Sequence, residues 1–310
     1  MITSVSLNPS IDRTVALNRL VPGGLNRILA QTDVAAGKGV NVAMAAAALG
    51  ERAACIGLMY SDGARLFEER LAGAGVESDF VRCDGAVRVN MKVLDRERGE
   101  ITELNASGAP VTDDVLEAVR ALAVRHARKS DVVVLTGSLP PACPTDFYRT
   151  LAADVAGKGC RVILDADGER LRLGLEAKPF LIKPNRYELE LLTGRKLETV
   201  DALLNAALDC VRTGVGVAVV SMGGDGALIT DGKTALRTPG LRVEIRSTVA
   251  AGDSMIAGLA AGFGRGYSLE DAFRLGVAAA TARCATPPEE IISPELCRRF
   301  AGELQVERLT

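Results

Sequence analysis

Short runs rich in valine and isoleucine, apolar at nearly every position, alternate along this chain with stretches whose apolar residues recur at helical spacing. The runs at 2–7, 53–58, 132–136, 161–165, 180–183 and 217–221 predict strands. The stretches at 40–49, 64–74, 113–128, 145–156, 187–192 and 200–212 predict the helices between them. Two further helices, at about 253–265 and 269–283, close the core, and 294–303 reads as a last one. Strands this apolar must be covered on both faces, so the pattern predicts an α/β fold: a mostly parallel central sheet with helices on either side. Two segments break the rhythm. Residues 13–34 and 87–104 alternate as strands do, with no helix between, and the second contains a hairpin, 87–94 returning as 100–104 around Arg96-Glu-Arg-Gly99. A thin sheet with one polar face is not stable alone. These segments are therefore expected to form a small β lid on a single domain spanning 1–310, covered by the parent domain or by a second lid.

Composition narrows the function classes. The chain has 310 residues, 48% hydrophobic, with a formal net charge of −2. No basic excess exists to drive association with nucleic acid or an anionic membrane. The amino terminus reads as a first strand reaching a turn rather than a secretory leader, and no apolar run has the length of a bilayer span. Seven cysteines are scattered without metal-ligand spacing, which fits reduced thiols and a cytoplasmic location. The single histidine, His126, sits in the basic stretch Arg125-His-Ala-Arg-Lys129 and reads as a solvated helix residue. Catalysis by a histidine-based triad or a multi-histidine zinc site is thereby disfavoured.

Polar segments fall where strands end, the edge at which open parallel sheets bind ligands. Asn8-Pro-Ser-Ile-Asp12, Lys183-Pro-Asn-Arg-Tyr-Glu188 and Ser221-Met-Gly-Gly-Asp-Gly226 each follow a predicted strand. Thr136-Gly-Ser-Leu-Pro-Pro141 does too, and by itself reads as a turn. Ala36-Gly-Lys-Gly-Val-Asn41 opens an alanine-rich helix, with Gly37 and Gly39 permitting close backbone approach. Neither a Walker A loop nor a Rossmann glycine fingerprint is present, so any nucleotide is held by another device. Asp253 stands at the mouth of a helix behind Ala250-Ala251-Gly252. Free amides there make an anion site, and a carboxylate beside it can take a proton from an alcohol; the plainer reading is a helix cap. Asn185 and Glu188, one turn apart, suit a hydrated Mg²⁺ or, equally, a capping box. On the lid, Arg88, Asn90 and Lys92 share one face of a strand, fitted either to solvent or to an anionic substrate.

In order, N-P-x-x-D, A-G-K-G-x-N-V-A, R-x-N-x-K, T-G-S-L-P-P, K-P-N-x-x-E-L, S-x-G-x-x-G-A and T-V-x-A-G-D-S resemble the ribokinase/PfkB carbohydrate kinase family across nearly the whole chain. Asn26-Arg27, the Arg88/Asn90/Lys92 strand and the segment from Lys183 to Glu190 carry a closer likeness to members acting on ketose phosphates. The resemblance implies a ribokinase-like fold and ATP- and Mg²⁺-dependent phosphorylation of a sugar phosphate. Fructose 1-phosphate is the first candidate, with tagatose 6-phosphate and fructose 6-phosphate behind it. It implies Asp253 as the base and the amides of Ala251, Gly252 and Asp253 as the anion hole. Asp12, Gly37, Lys38, Gly39 and Asn41 would hold the sugar, with Arg88, Asn90 and Lys92 on its phosphate. Lys183, Asn185, Ser221, Gly223, Gly226 and Gly252 would line the ATP site, and Asn185 and Glu188 would orient hydrated Mg²⁺. Dimerisation lid to lid is also implied. The different class left standing is a binding protein that kept the fold and lost the reaction. Three positions depart from the family's usual glycines: Ala36, Ala142 and Ala250. At 250 a backbone angle that alanine tolerates is expected.

Overall fold

Alternation of strand and helix sets the layering from the first residues. In the computed structural model, which describes residues 1–309, β1 (Ile2–Ser6) is followed by β2 (Ser10–Leu17), β3 (Ala30–Ala36) and α1 (Lys38–Ala48). Next come β4 (Ala53–Asp62), α2 (Ala64–Gly73), β5 (Glu77–Ala86), β6 (Arg88–Asp95), β7 (Glu100–Leu104) and α3 (Asp113–Ala127). The middle of the chain forms β8 (Val132–Thr136), α4 (Phe147–Ala156), β9 (Arg161–Asp165), α5 (Gly168–Gly174), β10 (Leu181–Ile182), α6 (Arg186–Thr193), α7 (Val200–Arg212) and β11 (Val217–Ser221). A hairpin, β12 (Ala227–Thr230) and β13 (Ala235–Thr238), leads to α8 (Ala251–Gly264), α9 (Leu269–Cys284), α10 (Pro294–Glu303) and the short β14 (Glu307–Arg308).

Ten strands make the main sheet, in the order β14-β13-β12-β11-β10-β9-β8-β1-β4-β5. Pairing is parallel from β11 through β5 and antiparallel among β11, β12, β13 and β14. The strands are apolar at successive positions because both faces are buried. Ile2, Val132, Val134, Ile163 and Val219 pack with α1, α8, α9 and α10. Val5, Val133, Leu135, Leu164 and Val220 pack with α3, α4, α6 and α7 on the other side. Helix α8 is buried without a break from Asp253 to Phe263, between α1 and α9. The strand order turns back at β1, flanked by β8 and β4, and the loops that leave β1 and β8 open a crevice there. No described helix is long and apolar enough to cross a membrane.

The second sheet has the order β3-β2-β6-β7. Strands β2 and β6 run parallel, placing Asp12 beside Asn90 and Thr14 beside Lys92. One face closes over Val15, Leu17 and Val93 with Leu20 and Met91. Leu25, Ile28, Leu29, Ile101 and Leu104, from this sheet and its connecting loop, remain exposed.

Strand β5 escaped the sequence pattern because it is an edge strand, exposed at most positions and lacking an apolar run. That omission misplaced His126. Helix α3 packs against β5, so His126 is buried rather than solvated, and its Nε2 lies 2.9 Å from Asp79 Oδ2. Helix α5 was also unread, seven residues being too few to establish a period.

Candidate active site

Asp253 occupies the first turn of α8 and is 6% exposed. Asn41 Nδ2, from the first turn of α1, donates to its Oδ2 at 2.8 Å. Burial above all, then the field of Asp165, pushes the Asp253 carboxyl up to about 6, against the opposing pull of Lys38, the Asn41 bond and Lys183. No side chain caps α8. Ser254 N–H donates to Ala250 O at 2.9 Å and Ala251 N–H to Thr248 O at 3.3 Å. Of the three amides singled out in the sequence, Ala251 is thus already engaged, and Gly252 and Asp253 are left for a ligand.

Ala250 corrects an expectation. Its φ is 65° and its ψ 13°, the left-handed conformation. The chain must reverse sharply there to present the α8 amides, and an alanine Cβ strains that turn by about 1 kcal/mol. Ala142, at φ 66°, sits in the same strained region. Ala250→Gly is expected to raise unfolding free energy by about 1 kcal/mol in a denaturant titration. A loss of stability would mean that the turn does not need the left-handed angle.

Charge at the base of the crevice centres on Asp165, the last residue of β9 and 3% exposed. Lys38 Nζ lies 3.1 Å from its Oδ2 and Lys183 Nζ 3.4 Å from its Oδ1, and Thr136 Oγ1 donates at 2.8 Å. Burial pushes this carboxyl up, but Lys183, Lys38 and the Thr136 bond outweigh it and hold it below the usual range. One anion therefore bridges the lysine of the Gly37-Lys38-Gly39 loop and the lysine ahead of Asn185. Sequence reasoning missed it; the signal was a carboxylate ending the apolar run Val162-Ile163-Leu164.

Around this centre the remaining residues separate into groups. Lys183 is buried with its ammonium beside Gly252, where an added Cβ would lie 3.4 Å from Nζ. Asn185 and Ser221 form an isolated bridge, and Gly223 starts a short turn ending at Asp225. Gly226 answers to packing: a Cβ there would lie 1.9 Å from Thr238 O. Asn185 and Glu188 form a reciprocal capping box, Glu188 N–H to Asn185 Oδ1 at 2.8 Å and Asn185 N–H to Glu188 Oε2 at 2.9 Å. Glu188 Oε1 is not used by the box, and the carboxylate is close enough to raise the Lys38 ammonium along with Asp165 and Asp253, against its burial. No group of three or more His, Cys, Asp or Glu residues able to hold a metal occurs among the described residues. This donor set fits a cation that keeps most of its waters.

A cleft of about 180 Å³ lies beside Asp165, lined by Asn8, Lys38, Gly39, Arg88, Gly137 and Ser138 among others. Gly39 sits against the end of β1, where a Cβ would come within 2.9 Å of Ser6 Cβ, while Gly37 turns the chain into α1 at φ 121°. The Thr136–Pro141 loop, read from sequence as a turn, supplies part of this wall. The lid strand splits. Arg88 enters the cleft, donating to Asn8 O at 3.0 Å and Ala106 O at 2.7 Å, with Ser138 Oγ at 3.4 Å. Asn90 Nδ2 and Lys92 Nζ instead bond Asp12, at 3.2 and 2.9 Å. Asp12 is thereby paired on the lid, and only Arg88 of the three lines the cleft.

Residues 5–289 match the family described as pfkB family carbohydrate kinase. A 1-phosphofructokinase from Rhodobacter capsulatus is 36% identical over 309 residues, covering 99% of this chain and 98% of that protein. One from Xanthomonas campestris pv. campestris is 35% identical, covering 98% of this chain and 97% of that one. Among solved structures, phosphofructokinase-2 from Escherichia coli in complex with fructose-6-phosphate superposes with a TM-score of 0.89 at 28% identity, over 97% of this chain and 98% of its own.

Proposed function

The chain belongs to the pfkB family of carbohydrate kinases, and on that premise we propose that it transfers the γ-phosphoryl group of ATP to the free primary hydroxyl of fructose 1-phosphate, giving fructose 1,6-bisphosphate and ADP. The observation that carries the chemistry is the buried Asp253 carboxylate beside two unengaged amides at an uncapped helix start. Asp253 takes the hydroxyl proton as the oxygen bonds to phosphorus and the bond from phosphorus to the ADP oxygen breaks. The amides of Gly252 and Asp253 hold the transferring oxygens, and Ala251 joins them by giving up Thr248 O. Lys183, Asn185, Ser221, Gly223 and Gly226 line the nucleotide side. Asn185 and Glu188 would hold a hydrated Mg²⁺, which when bound would supply neutralisation of phosphate charge.

On the sugar side, Lys38, Gly37, Gly39 and Asn41 bind the ketose. Arg88 meets its existing phosphate, while Asn90 and Lys92 hold Asp12 ready for a sugar hydroxyl. Arg88→Ala is expected to raise KM for the phosphosugar about tenfold or more and that for ATP little, because a charge-assisted bond is lost on one substrate only. Equal rises in both would make Arg88 a general organiser of the cleft. Fructose 6-phosphate is the second reading, favoured by the likeness to the Escherichia coli enzyme bound to it.

Two copies associate through the lid, covering Leu25, Ile28, Leu29, Ile101 and Leu104. Ile101→Glu is expected to shift sedimentation from dimer to monomer; an unchanged dimer would place the interface elsewhere. A cytoplasmic location is part of the same reading, supported by cysteines left unpaired among the described residues and by the need for ATP.

A further inference from the structure

Two arginines that form no salt bridge share a cavity outside the substrate cleft, with the Glu290 carboxylate on its wall. Arg283 of α9 is 6% exposed. Its bonds all go to neutral carbonyls: Nη1 to Glu290 O at 2.7 Å, and Nη2 to Thr286 O and Pro287 O at 2.6 Å. Its Nε is buried without an acceptor. Arg70 of α2 donates through Nη1 to Ala35 O at 2.7 Å, again a neutral carbonyl. Burial disfavours the charged form of each, and Arg283 adds to the penalty on Arg70; the fields of Asp12 on Arg70 and of Cys284, Glu289 and Glu290 on Arg283 offset this only in part. Neither guanidinium pairs with a carboxylate among the described residues.

The cavity between them, about 40 Å³, is also lined by Asn41, Ala250, Ser254 and Glu290. A single water needs roughly 10–15 Å³ on this measure. The space therefore takes a few waters or one tetrahedral oxyanion. None of its lining residues lines the substrate cleft. It abuts the catalytic apparatus from behind: Asn41 holds Asp253, and Ala250 forms the turn that presents the α8 amides.

We propose that this cavity is a second anion site, taking a phosphate-sized oxyanion between Arg70 and Arg283. Bound there, the anion offsets two like charges and bears on the groups that orient the base and the amides. The site is a regulatory one, distinct from the substrate cleft and sharing only Asn41 with the sugar side, and its ligand is free inorganic phosphate or the phosphoryl end of a metabolite.

The test is the thermal midpoint of the full chain titrated with inorganic phosphate, a readout independent of kinase activity. Glycerol phosphate run alongside separates the two sources, since only a metabolite site tolerates the ester. Phosphate should raise the midpoint of the parent. Arg70→Gln should shift the half-effect concentration upward about tenfold, the loss of one charged donor. Glu290→Gln, which removes a lining carboxylate, should shift it downward. Arg88→Gln, altered in the substrate cleft, should retain the Arg70-dependent response. The proposal fails if Arg70→Gln responds as the parent does, if Arg88→Gln abolishes the whole response, or if phosphate leaves the parent unmoved.

Discussion

Replacing Asp253 by asparagine is expected to lower kcat by roughly 10²–10⁴-fold while leaving ATP binding and the fold in place. Asparagine keeps the shape and can still meet Asn41, but it cannot accept the hydroxyl proton. The buried carboxyl is pushed up to about 6, so the parent's kcat/KM should rise with pH through that value as the carboxylate forms. Asp253→Asn should lack that limb. Stability should move the other way. A carboxyl whose folded value lies above its ordinary 3.8 is protonated more readily in the folded chain. Its contribution to stability is complete at low pH and declines as pH rises from 3.8 to about 6. At neutral pH the ionised Asp253 costs stability, and the asparagine variant should melt at or above the parent. Near-parent turnover, or an unchanged acid limb, would remove Asp253 as the base.

Asp165→Asn is expected to cost about 3 kcal/mol or more in unfolding free energy at pH 7, as the loss of one partner from a buried ion pair does. Lys38 has a half-exposed side chain and can turn to solvent, but Lys183 is 6% exposed and would keep its charge without an anion. The pH dependence is opposite in sign to that of Asp253. Asp165 is held below the usual carboxylate range, so its contribution is present at neutral pH and lost as pH falls through its lowered value. Pairing Asp165→Leu with Lys183→Met should recover part of the stability and none of the activity. A loss under about 1 kcal/mol in Asp165→Asn would mean that Lys183 finds another partner.

How far the sequence disclosed this arrangement depended on which signal each part carried. The central strands were legible because burial on both faces demands unbroken apolar runs, as in Val132–Thr136. The edge strand β5 carries no such run, and with it went the environment of His126. Loops at the strand ends announced the site, and the family motifs assigned expected roles to Asp253, Lys38 and Asn185. Side-chain pairing was a different matter. Period two put Arg88, Asn90 and Lys92 on one face, but only the parallel register of β2 with β6 brings Asp12 beside Asn90 and draws Lys92 to it. Likewise the alanine at 250 conceals a left-handed angle, and only the glycine usual there in the family pointed to it.

The most direct test of the account is ADP release measured with fructose 1-phosphate, fructose 6-phosphate and tagatose 6-phosphate, each with ATP and Mg²⁺. The highest kcat/KM is expected for fructose 1-phosphate, by about tenfold or more, because a cleft built to hold one phosphate and one reacting hydroxyl rejects isomers that misplace either. A higher kcat/KM for either of the other two, or no turnover of any, would contradict it.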